Sequence, residues 1–366
     1  MDLLKSAISR RQMMKISAAA LASPCIIEAF PKFFSPKNIW AAETAKRYLP
    51  EPTTNKNFYI GDDNWLKLTF EQALEPDIPI CDPHHHLWPG FQAEQFLSEM
   101  SGGHNILKTV FVESVRNKSG SIKMQPVEET EFVVNEGTKI KSRTEIAAGI
   151  VGSADLMLGN DVAPILEGHV KAGKGRFRGI RMHNSNVTTD SKFREGYSNL
   201  GKFDLSLDTF LSYSKFNELI DLSKTFPDTP IIINHIGRTE GIGAGDDNSE
   251  KITKEWKVQM KALAACKNVY VKLGGLGMTH YGFDWYKLPA PPDSMLMAKA
   301  MAPYFEYCIE QFGADRCMFE SNWPVDRESS SYTILWNAFK RYTKDFSKSE
   351  RSALFYDTAV KVYRLG

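Results

Sequence analysis

The feature that most constrains the fold is an alternation of short apolar runs with longer stretches of helical spacing, beginning at Ile78. Several runs are apolar through their middle, as expected for parallel strands buried on both faces. The eight runs are 78–81 (IPIC), 108–114 (KTVFVES), 145–152 (EIAAGIVG), 176–183 (RFRGIRMH), 205–211 (LSLDTFL), 230–237 (PIIINHIG), 268–275 (NVYVKLGG) and 317–324 (CMFESNWP). Strand then helix, repeated eight times, predicts an α/β fold, a single-domain (β/α)8 TIM barrel. The alternative, an open doubly wound sheet, is weakened because no G-x-G-x-x-G follows the first run.

The helical stretches between these runs carry recognisable start and stop signals. One stretch places apolar side chains at i, i+3, i+4, i+7, i+8 and i+11 and ends before Gly313, a natural helix stop. These side chains are Met301, Tyr304, Phe305, Cys308, Ile309 and Phe312. Near the C-terminus, Ser347 and Glu350 have the spacing of a capping box, which predicts a last outer helix.

Composition places the chain among soluble globular proteins. Of its 366 residues, 42% are hydrophobic and 24% charged, a length that suits two domains or one large barrel. The net charge of +1 gives no reason to expect binding to nucleic acid or to a membrane surface, so the expected partner is a small-molecule substrate. Beyond Cys25, the cysteines Cys81, Cys266, Cys308 and Cys317 have no metal-site or disulfide spacing, and we expect buried thiols.

The N-terminus differs from the rest of the chain. Arg10 and Arg11 precede an uncharged, Ala-rich stretch at 16–27, which is shorter than the ~20 apolar residues that span a bilayer. This arrangement resembles a twin-arginine export signal, which implies passage through the export machinery to the periplasm with no stable membrane anchor after signal removal. We therefore divide the chain into a signal at 1–45, an N-terminal arm at 46–76 and the barrel at 77–366.

Polar side chains gather where the predicted strands end. In a (β/α)8 barrel the carboxyl ends of the strands form the mouth where reacting groups meet. The residues at these points are Asp82, His84, His85 and His86, then Glu113, then Arg178, Arg181 and His183, then Asp208, His235 and Lys272, and finally Glu320, Asn322 and Asp326. Their concentration predicts a reaction site at the mouth.

The triple histidine can be divided by strand alternation. Residues two apart on a strand point the same way, so Asp82, His84 and His86 are expected on one face and His85 on the other. This places His84 and His86 in the barrel mouth. A plain polar loop or a metal-scavenging tract is the alternative.

Four blocks in order resemble one family. DPHHHLW looks like the D-x-H-x-H opening of the amidohydrolase superfamily. IIINHIG, NVYVKLGGLG and CMFESNWPVDR resemble the sixth, seventh and eighth strands of its amidohydrolase-related (amidohydrolase 2) branch, which contains sugar lactonases and 2-pyrone-4,6-dicarboxylate lactonase. The resemblance covers roughly residues 77–366. It implies a (β/α)8 barrel and a hydrolase whose sixth-strand histidine is His235.

The chain departs from the metal-binding pattern of this family in two places. The usual eighth-strand aspartate aligns with Asn322, and an amide cannot act as a base. Metal-dependent members use a fifth-strand histidine, where this chain has Asp208. If a divalent metal is bound, zinc is expected, with His84 and His86 as ligands, but three or four ligands are usual. The resemblance therefore favours a site without a metal cofactor.

In the metal-free site that the resemblance implies, water attacks a carbonyl that is polarised by His84 and His86, with Arg181 as a further candidate for this role. The general base is left open among four candidates: His235, Asp208, Glu113 and Asp326. Asn322 would hold water or substrate, Arg181 or Lys272 would bind a substrate carboxylate, and Glu113 and Asp326 would line the substrate site. Lys272 is equally explained as an ion-pair partner of Asp208 or Glu320.

The loops after the sixth and seventh runs and four further histidines complete the set of features. The loops at 237–253 and 275–294 resemble lids over the mouth. Tyr281, Phe283 and Trp285 would line an apolar pocket or pack the loop onto the body. His183 and His280 are expected to be loop histidines, and His104 and His169 are expected at the surface.

Three functions follow from these features. The first is hydrolysis of a lactone or related cyclic ester, probed with a lactone panel. The second is a metal-dependent decarboxylase of the same branch, which Asn322 argues against. The third is an exported binding protein on a catalytically retired scaffold. The metal content of the purified protein separates the first two.

Overall fold

A computed structural model describes residues 61–114, 125–182 and 188–366 of the chain. Eight parallel strands follow one another around the sheet in sequence order. They are β1 Pro79–His85, β2 Asn105–Val112, β3 Glu145–Gly152, β4 Phe177–Met182, β5 Ser206–Thr209, β6 Ile231–Ile233, β7 Val269–Leu273 and β8 Cys317–Phe319. A parallel bridge between His85 and Trp323 joins the end of β8 to β1. The sheet is therefore a nearly closed barrel, and the predicted (β/α)8 fold is confirmed.

Helices lie between the strands. They are α1 Asp63–Leu66, α2 Ala93–Met100, α3 Gln125–Lys139, α4 Ala163–Ala172, α5 Ser191–Lys202, α6 Phe216–Thr225, α7 Asp247–Ala264, α8 Ser294–Phe312, α9 Tyr332–Tyr342, α10 Lys348–Ser352 and α11 Thr358–Val362. The predicted stop of α8 is confirmed, because Gly313 follows its last residue with φ +84°. A residue without a Cβ adopts this left-handed backbone with little strain.

The strands β6 and β8 are shorter than the apolar runs that predicted them. The sequence suggested 230–237 and 317–324, whereas the strands end at Ile233 and Phe319. The backbone beyond these ends leaves the extended conformation, with φ of +56° at His235 and +55° at Asn322. Positive φ in residues with a Cβ is uncommon and costs energy. It turns these two residues out of the strand direction at the mouth.

The C-terminal segment closes the barrel at the end away from the mouth. Ser347 and Glu350 form the predicted capping box of α10, and a π-helical turn at Ala353–Asp357 links α10 to α11. Buried residues after this turn pack against inward-facing strand residues; the cluster includes Val362, Tyr363 and Leu365 with Cys81, Val110, Ile232 and Met318. The barrel interior is therefore a packed core below the mouth.

The described part of the arm contacts the loop between β7 and α8 and the start of α8. Trp65 Nε1 donates to the Leu288 carbonyl over 2.9 Å, and Glu71 accepts from the backbone N–H of Ser294 over 2.8 Å. The proposed export signal and residues 46–60 of the arm lie outside the described residues. Among the residues that are described, no helix is long and apolar enough to span a bilayer.

Two histidines expected at the surface are buried, so that prediction is wrong. His169 is fully buried and bonds the Thr130 hydroxyl and the Ser153 carbonyl. His104 is buried against the Lys340 ammonium, 2.8 Å away. In both cases polar partners from distant segments satisfy the ring nitrogens, which makes burial tolerable. The four cysteines of the described residues are buried free thiols, as predicted.

Candidate active site at the barrel mouth

A register shift in β1 decides which side chains of DPHHH reach the mouth. The pairing of β1 with β2 is irregular between Asp82 and His85, so simple alternation fails there. Asp82 accepts hydrogen bonds from the Ser321 hydroxyl and from Tyr332 of α9. It therefore does not share the face of His84, and that part of the prediction is wrong. His85 turns away as expected, bonding Thr109 and stacking on Phe96.

The centre of the mouth is a buried carboxylate between two histidines. Glu320 Oε1 lies 2.7 Å from His235 Nδ1 and accepts the backbone N–H of His235 over 2.8 Å. Glu320 Oε2 lies 2.7 Å from His84 Nδ1. The rings of His84 and His235 are 4.5 Å apart, so residues from the first and sixth strands meet over one site. The sequence places Glu320 at a strand end but does not mark it as the group that lies between the two histidines.

Two glycines after β7 provide the room for this group. A Cβ added to Gly275 would lie 2.1 Å from His235 Nδ1, and one added to Gly274 would lie 2.6 Å from Glu320 Cγ. Gly275 also has φ +68°, which side chains with a Cβ rarely adopt. The contact between His235 and Glu320 therefore requires residues without a Cβ at positions 274 and 275. In the sequence these positions appear only as two adjacent glycines at the end of the run NVYVKLGG.

Burial sets the protonation of this group. It lowers the pKa of His84 well below its ordinary value, helped by the positive charge of Lys272, so the ring is neutral. Burial also raises the pKa of Glu320 to about 8, opposed first by Lys272. The backbone N–H and the ring Nδ1 of His235 both meet Glu320 Oε1, and these contacts favour the ionised carboxylate against the effect of burial.

Arg181 binds the opposite side of His84. Its Nε donates to Glu113 Oε1 over 2.8 Å and its Nη2 donates to the Glu113 carbonyl over 2.5 Å. Its Nη1 points at His84 Nε2 over 3.3 Å. A guanidinium only donates, so His84 Nε2 holds a lone pair and the ring proton is on Nδ1.

His86 has a fixed tautomer as well. Its Nδ1 lies 2.7 Å from the Val112 carbonyl, which only accepts, so Nδ1 carries the proton and Nε2 is an acceptor. The His84 and His86 rings are 5.0 Å apart and edge to face. A neutral His86 can therefore accept a hydrogen bond from a substrate hydroxyl or water, which differs from the carbonyl-polarising role expected from sequence.

Lys272 and Asp208 form a buried ion pair next to the mouth. Lys272 Nζ lies 2.7 Å from Asp208 Oδ1, and both side chains are fully buried. Asp208 also accepts from Tyr363 Oη and from Asn234 Nδ2. Of the two roles considered for Lys272, the geometry favours the ion pair over binding of a substrate carboxylate.

Asn322 and Asp326 bond each other. Asn322 Nδ2 donates to Asp326 Oδ1 over 2.8 Å, and the Gly277 backbone N–H donates to Asp326 Oδ2 over 3.0 Å. Burial raises the pKa of Asp326 to about 8. The Asp326 carboxyl is thus held by two donors near the end of β8, and Asn322 is engaged with it.

His84, His235 and Glu320 offer three donor atoms that all lie within 4.8 Å of one another and could hold a divalent ion. His84 Nδ1 and Glu320 Oε2 are 2.7 Å apart without the angle of a hydrogen bond, as two ligands of one ion would be. A proton on His84 Nδ1 would have to leave, however, and Arg181 would then face an N–H. The three residues can therefore hold an ion only if the contact between Arg181 and His84 is lost. His86, which the sequence suggested as a metal ligand, does not belong to this group of three.

The small exposure that remains at this group belongs to the residues around Glu320 and His84. His84 and Glu320 are fully buried, whereas Arg181, His86 and His235 keep 7%, 5% and 2% of their surface exposed. Phe210 and His280 are half-buried beyond His235. A substrate therefore reaches His235 and Arg181 before it reaches Glu320.

The β6 and β7 loops pack onto the barrel. Tyr281 Oη donates to the His235 and Gly237 carbonyls over 2.8 and 3.0 Å. Phe283 stacks on Trp285 with ring centroids 4.7 Å apart. These aromatic residues were expected either to line an apolar pocket or to pack the loop onto the body, and the contacts agree with packing. His183 lies outside the described residues.

Comparisons with known proteins agree with this architecture. The sequence model of the Amidohydrolase family matches residues 81–365. An uncharacterised protein of Sinorhizobium fredii is 32% identical, covering 79% of this chain and 99% of its own. An L-fucono-1,5-lactonase of Burkholderia ambifaria is 26% identical over 78% of this chain and 95% of its own. An amidohydrolase structure from Burkholderia multivorans with bound zinc has TM-score 0.59 and 21% identity, covering 78% of this chain and 99% of its own. The chain therefore belongs to the amidohydrolase family, in its amidohydrolase-related branch.

Proposed function

We propose that this protein is a hydrolase that opens a sugar lactone by attack of water at the barrel mouth. The observation that carries the proposal is the His235 ring, fixed by Glu320 and placed beside the Arg181–His84 contact. The lactonase named among its relatives supports the class of substrate, as does an L-rhamnono-gamma-lactonase of Scheffersomyces stipitis that is 26% identical over 48% of this chain and 53% of its own.

His235 is the general base in this proposal. Because its Nδ1 directs a proton at Glu320, its Nε2 carries the lone pair that accepts a proton from water. Glu320 positions the ring through two contacts, as the carboxylate of a catalytic triad does. Glu320 is therefore a positioning residue, because it is fully buried behind the histidines.

The other candidate bases are engaged elsewhere. Asp208 binds the Lys272 ammonium, Glu113 binds the Arg181 guanidinium, and Asp326 is bonded by Asn322 and Gly277. Each of these carboxylates is almost completely buried. A base must come within hydrogen-bond reach of the attacking water, and His235 meets this condition best.

Arg181 stabilises the charge that develops on the carbonyl oxygen. Its guanidinium has five N–H groups, and three contacts are made to Glu113 and His84. The second N–H groups of Nη1 and Nη2 can donate to an oxyanion at the exposed side. His84 holds Arg181 and Glu320 in place from either side of its ring.

In this proposal hydrolysis proceeds through attack of water and collapse of a tetrahedral intermediate. The water oxygen bonds to the lactone carbonyl carbon while its proton passes to His235 Nε2. The carbonyl electron pair moves onto oxygen, where Arg181 stabilises it. On collapse the bond from this carbon to the ring oxygen breaks, and His235 returns the proton to that oxygen. The product is the open hydroxy acid. A divalent ion held by His84, His235 and Glu320 would supply polarisation of the carbonyl and a more acidic water.

A lactone panel with the purified protein tests the proposal. We expect release of acid from L-fucono-1,5-lactone or L-rhamnono-1,4-lactone above the spontaneous rate. His235→Gln should lower kcat/KM by about 10²–10⁴-fold, the usual contribution of a general base, while Glu320→Gln should act mainly on kcat. Absence of turnover by folded wild-type protein, with and without added Zn²⁺ or Mn²⁺, would refute the function.

Elemental analysis of the same preparation decides how water is activated. Less than about one-tenth of an equivalent of metal in active protein supports activation by His235 alone. One equivalent of metal that is absent from the His84→Ala and Glu320→Gln variants supports activation by the ion.

A structural neighbour, 5-carboxyvanillate decarboxylase of Novosphingobium aromaticivorans with bound manganese, shares the fold at TM-score 0.55 and 11% identity, covering 80% of this chain and 98% of its own. Release of CO₂ from aromatic acids is therefore worth including in the panel.

We also propose that residues 1–45 direct export to the periplasm. The support is the Arg10-Arg11 pair followed by a short Ala-rich stretch. A fusion of these residues to a reporter should be exported in a host with a twin-arginine pathway, and the Arg10→Lys/Arg11→Lys variant should be retained in the cytoplasm. Equal export of both fusions would contradict the proposal.

A further inference from the structure

A row of three rings leads outward from the base. The Phe210 ring lies 5.2 Å from the His235 ring in a T-shaped contact, and the His280 ring lies 5.8 Å from Phe210 on the outer side. Phe210 and His280 are half-buried, whereas His235 is almost completely buried. The row therefore joins the reacting group to solvent.

His280 has a hydrogen-bonding atom with no partner. Its Nε2 is buried, yet no hydrogen-bond partner for it exists among the described residues. Unpaired buried polar atoms are uncommon and costly in folded proteins. An atom of this kind at the edge of a reaction site is suited to a partner that arrives with the ligand.

The position of His280 is fixed by the backbone of both loops. The Gly241 N–H donates to the His280 carbonyl over 2.8 Å. The next residue, Tyr281, bonds the carbonyl of His235 itself over 2.8 Å. His280 is thus held at a set distance from the base, which is the condition for orienting a ligand with respect to it.

The surroundings of His280 favour a polar, uncharged contact. Burial lowers the pKa of His280, and the neighbouring His235 and Arg238 lower it further, against Glu240. Arg238 lies over the Phe210 ring and is paired with Glu240, whose Oε1 accepts from Arg238 Nε over 2.7 Å. The cation at this rim is therefore already neutralised by a carboxylate, and a neutral imidazole can both donate to and accept from hydroxyl groups.

We propose that Phe210 and His280 form a subsite for a polyhydroxylated ring, with the apolar face of the ring on Phe210 and one hydroxyl on His280 Nε2. The inference rests on the proposed function, and it names the part of the molecule that selects sugar lactones over simple lactones. Sites that bind a substrate hydroxyl discriminate strongly against analogues that lack it, because their polar groups are then left unpaired.

A pair of six-membered lactones tests the subsite. L-fucono-1,5-lactone carries ring hydroxyls, and δ-valerolactone has none. We expect His280→Ala to lower kcat/KM for L-fucono-1,5-lactone about tenfold, chiefly through KM, the effect of one lost hydrogen bond. The same variant should change kcat/KM for δ-valerolactone less than twofold. His280→Gln, which keeps a donor and an acceptor, should recover part of the loss.

Thr279→Ala is the matched control, because Thr279 is exposed in the same loop and next to His280. It should change neither substrate. Equal losses on both lactones in His280→Ala, or no loss on either, would overturn the subsite.

If wild-type protein hydrolyses no lactone of the panel, the proposed function fails, and calorimetry with L-fucose, a stable polyhydroxylated six-membered ring, still tests the subsite. About tenfold weaker binding by His280→Ala than by wild type supports the subsite. Equal binding by the two proteins, or none by wild type, overturns it.

Discussion

The role of Gly275 allows a sharp test of how the base is held. In Gly275→Ala the new Cβ would lie 2.1 Å from His235 Nδ1, whereas ordinary contact begins at 3.4 Å. The His235 ring must therefore move by about 3.4 − 2.1 = 1.3 Å, which breaks its 2.7 Å contact with Glu320. Misplacement of a reacting group by about 1 Å can lower a rate about 10²-fold.

The stability cost of this change should be modest. Alanine with φ +68° is disfavoured by about 1–2 kcal/mol, and the ring movement adds to this. We expect Gly275→Ala to remain folded, with kcat/KM for the lactone that the wild type hydrolyses lowered about 100-fold. Lactone hydrolysis by acid release gives the rate, and thermal melting gives the stability.

Gly175→Ala is the matched control for this experiment. Gly175 has φ +82°, and no atom lies within 4 Å of its added Cβ, so this variant carries the backbone penalty without the steric one. It should melt lower than wild type but keep full activity. Activity of Gly275→Ala within threefold of Gly175→Ala would refute the argument that His235 Nδ1 must stay against Glu320.

Two further predictions concern buried groups away from the reacting atoms. Lys272→Met leaves the Asp208 carboxylate buried without its ammonium partner, so we expect the free energy of unfolding in urea to fall by about 3–5 kcal/mol. The double variant Asp208→Asn/Lys272→Met should recover most of this loss. A change in KM without loss of stability would instead assign Lys272 to substrate binding. Burial lowers the pKa of His169 from 6.5 to about 4, so the folded state binds fewer protons than the unfolded state between these values, and stability falls as pH drops through this window. Between pH 7 and pH 5 this group lowers the free energy of unfolding by about 2 kcal/mol. In urea titrations, the decrease between these two pH values should therefore be about 2 kcal/mol smaller for His169→Gln than for wild type. Equal decreases in the two proteins would contradict the assignment.

Much of the fold can be predicted from the sequence, because it depends on local patterns. The apolar run 145–152 coincides with β3, and the others overlap their strands, since burial on both faces requires continuous apolar residues. Gly313 and the Ser347–Glu350 box mark helix ends through interactions within a few residues. The positions of His84 and His235 in the site follow from the fold itself, because parallel strands end at the same mouth.

What only the tertiary structure decided is which groups contact each other at the mouth. The register shift after Asp82 separates it from His84, and no local pattern marks such a shift. Glu320 holds two histidines that are about 150 residues apart in the chain, although the resemblance directed attention to Asn322 two positions later. Pairing of the other carboxylates depends on which cation lies closest in space, as with Asp208 and Lys272. Spacing along a chain determines local conformation, but the protonation and direction of a buried side chain depend on neighbours that only folding brings together.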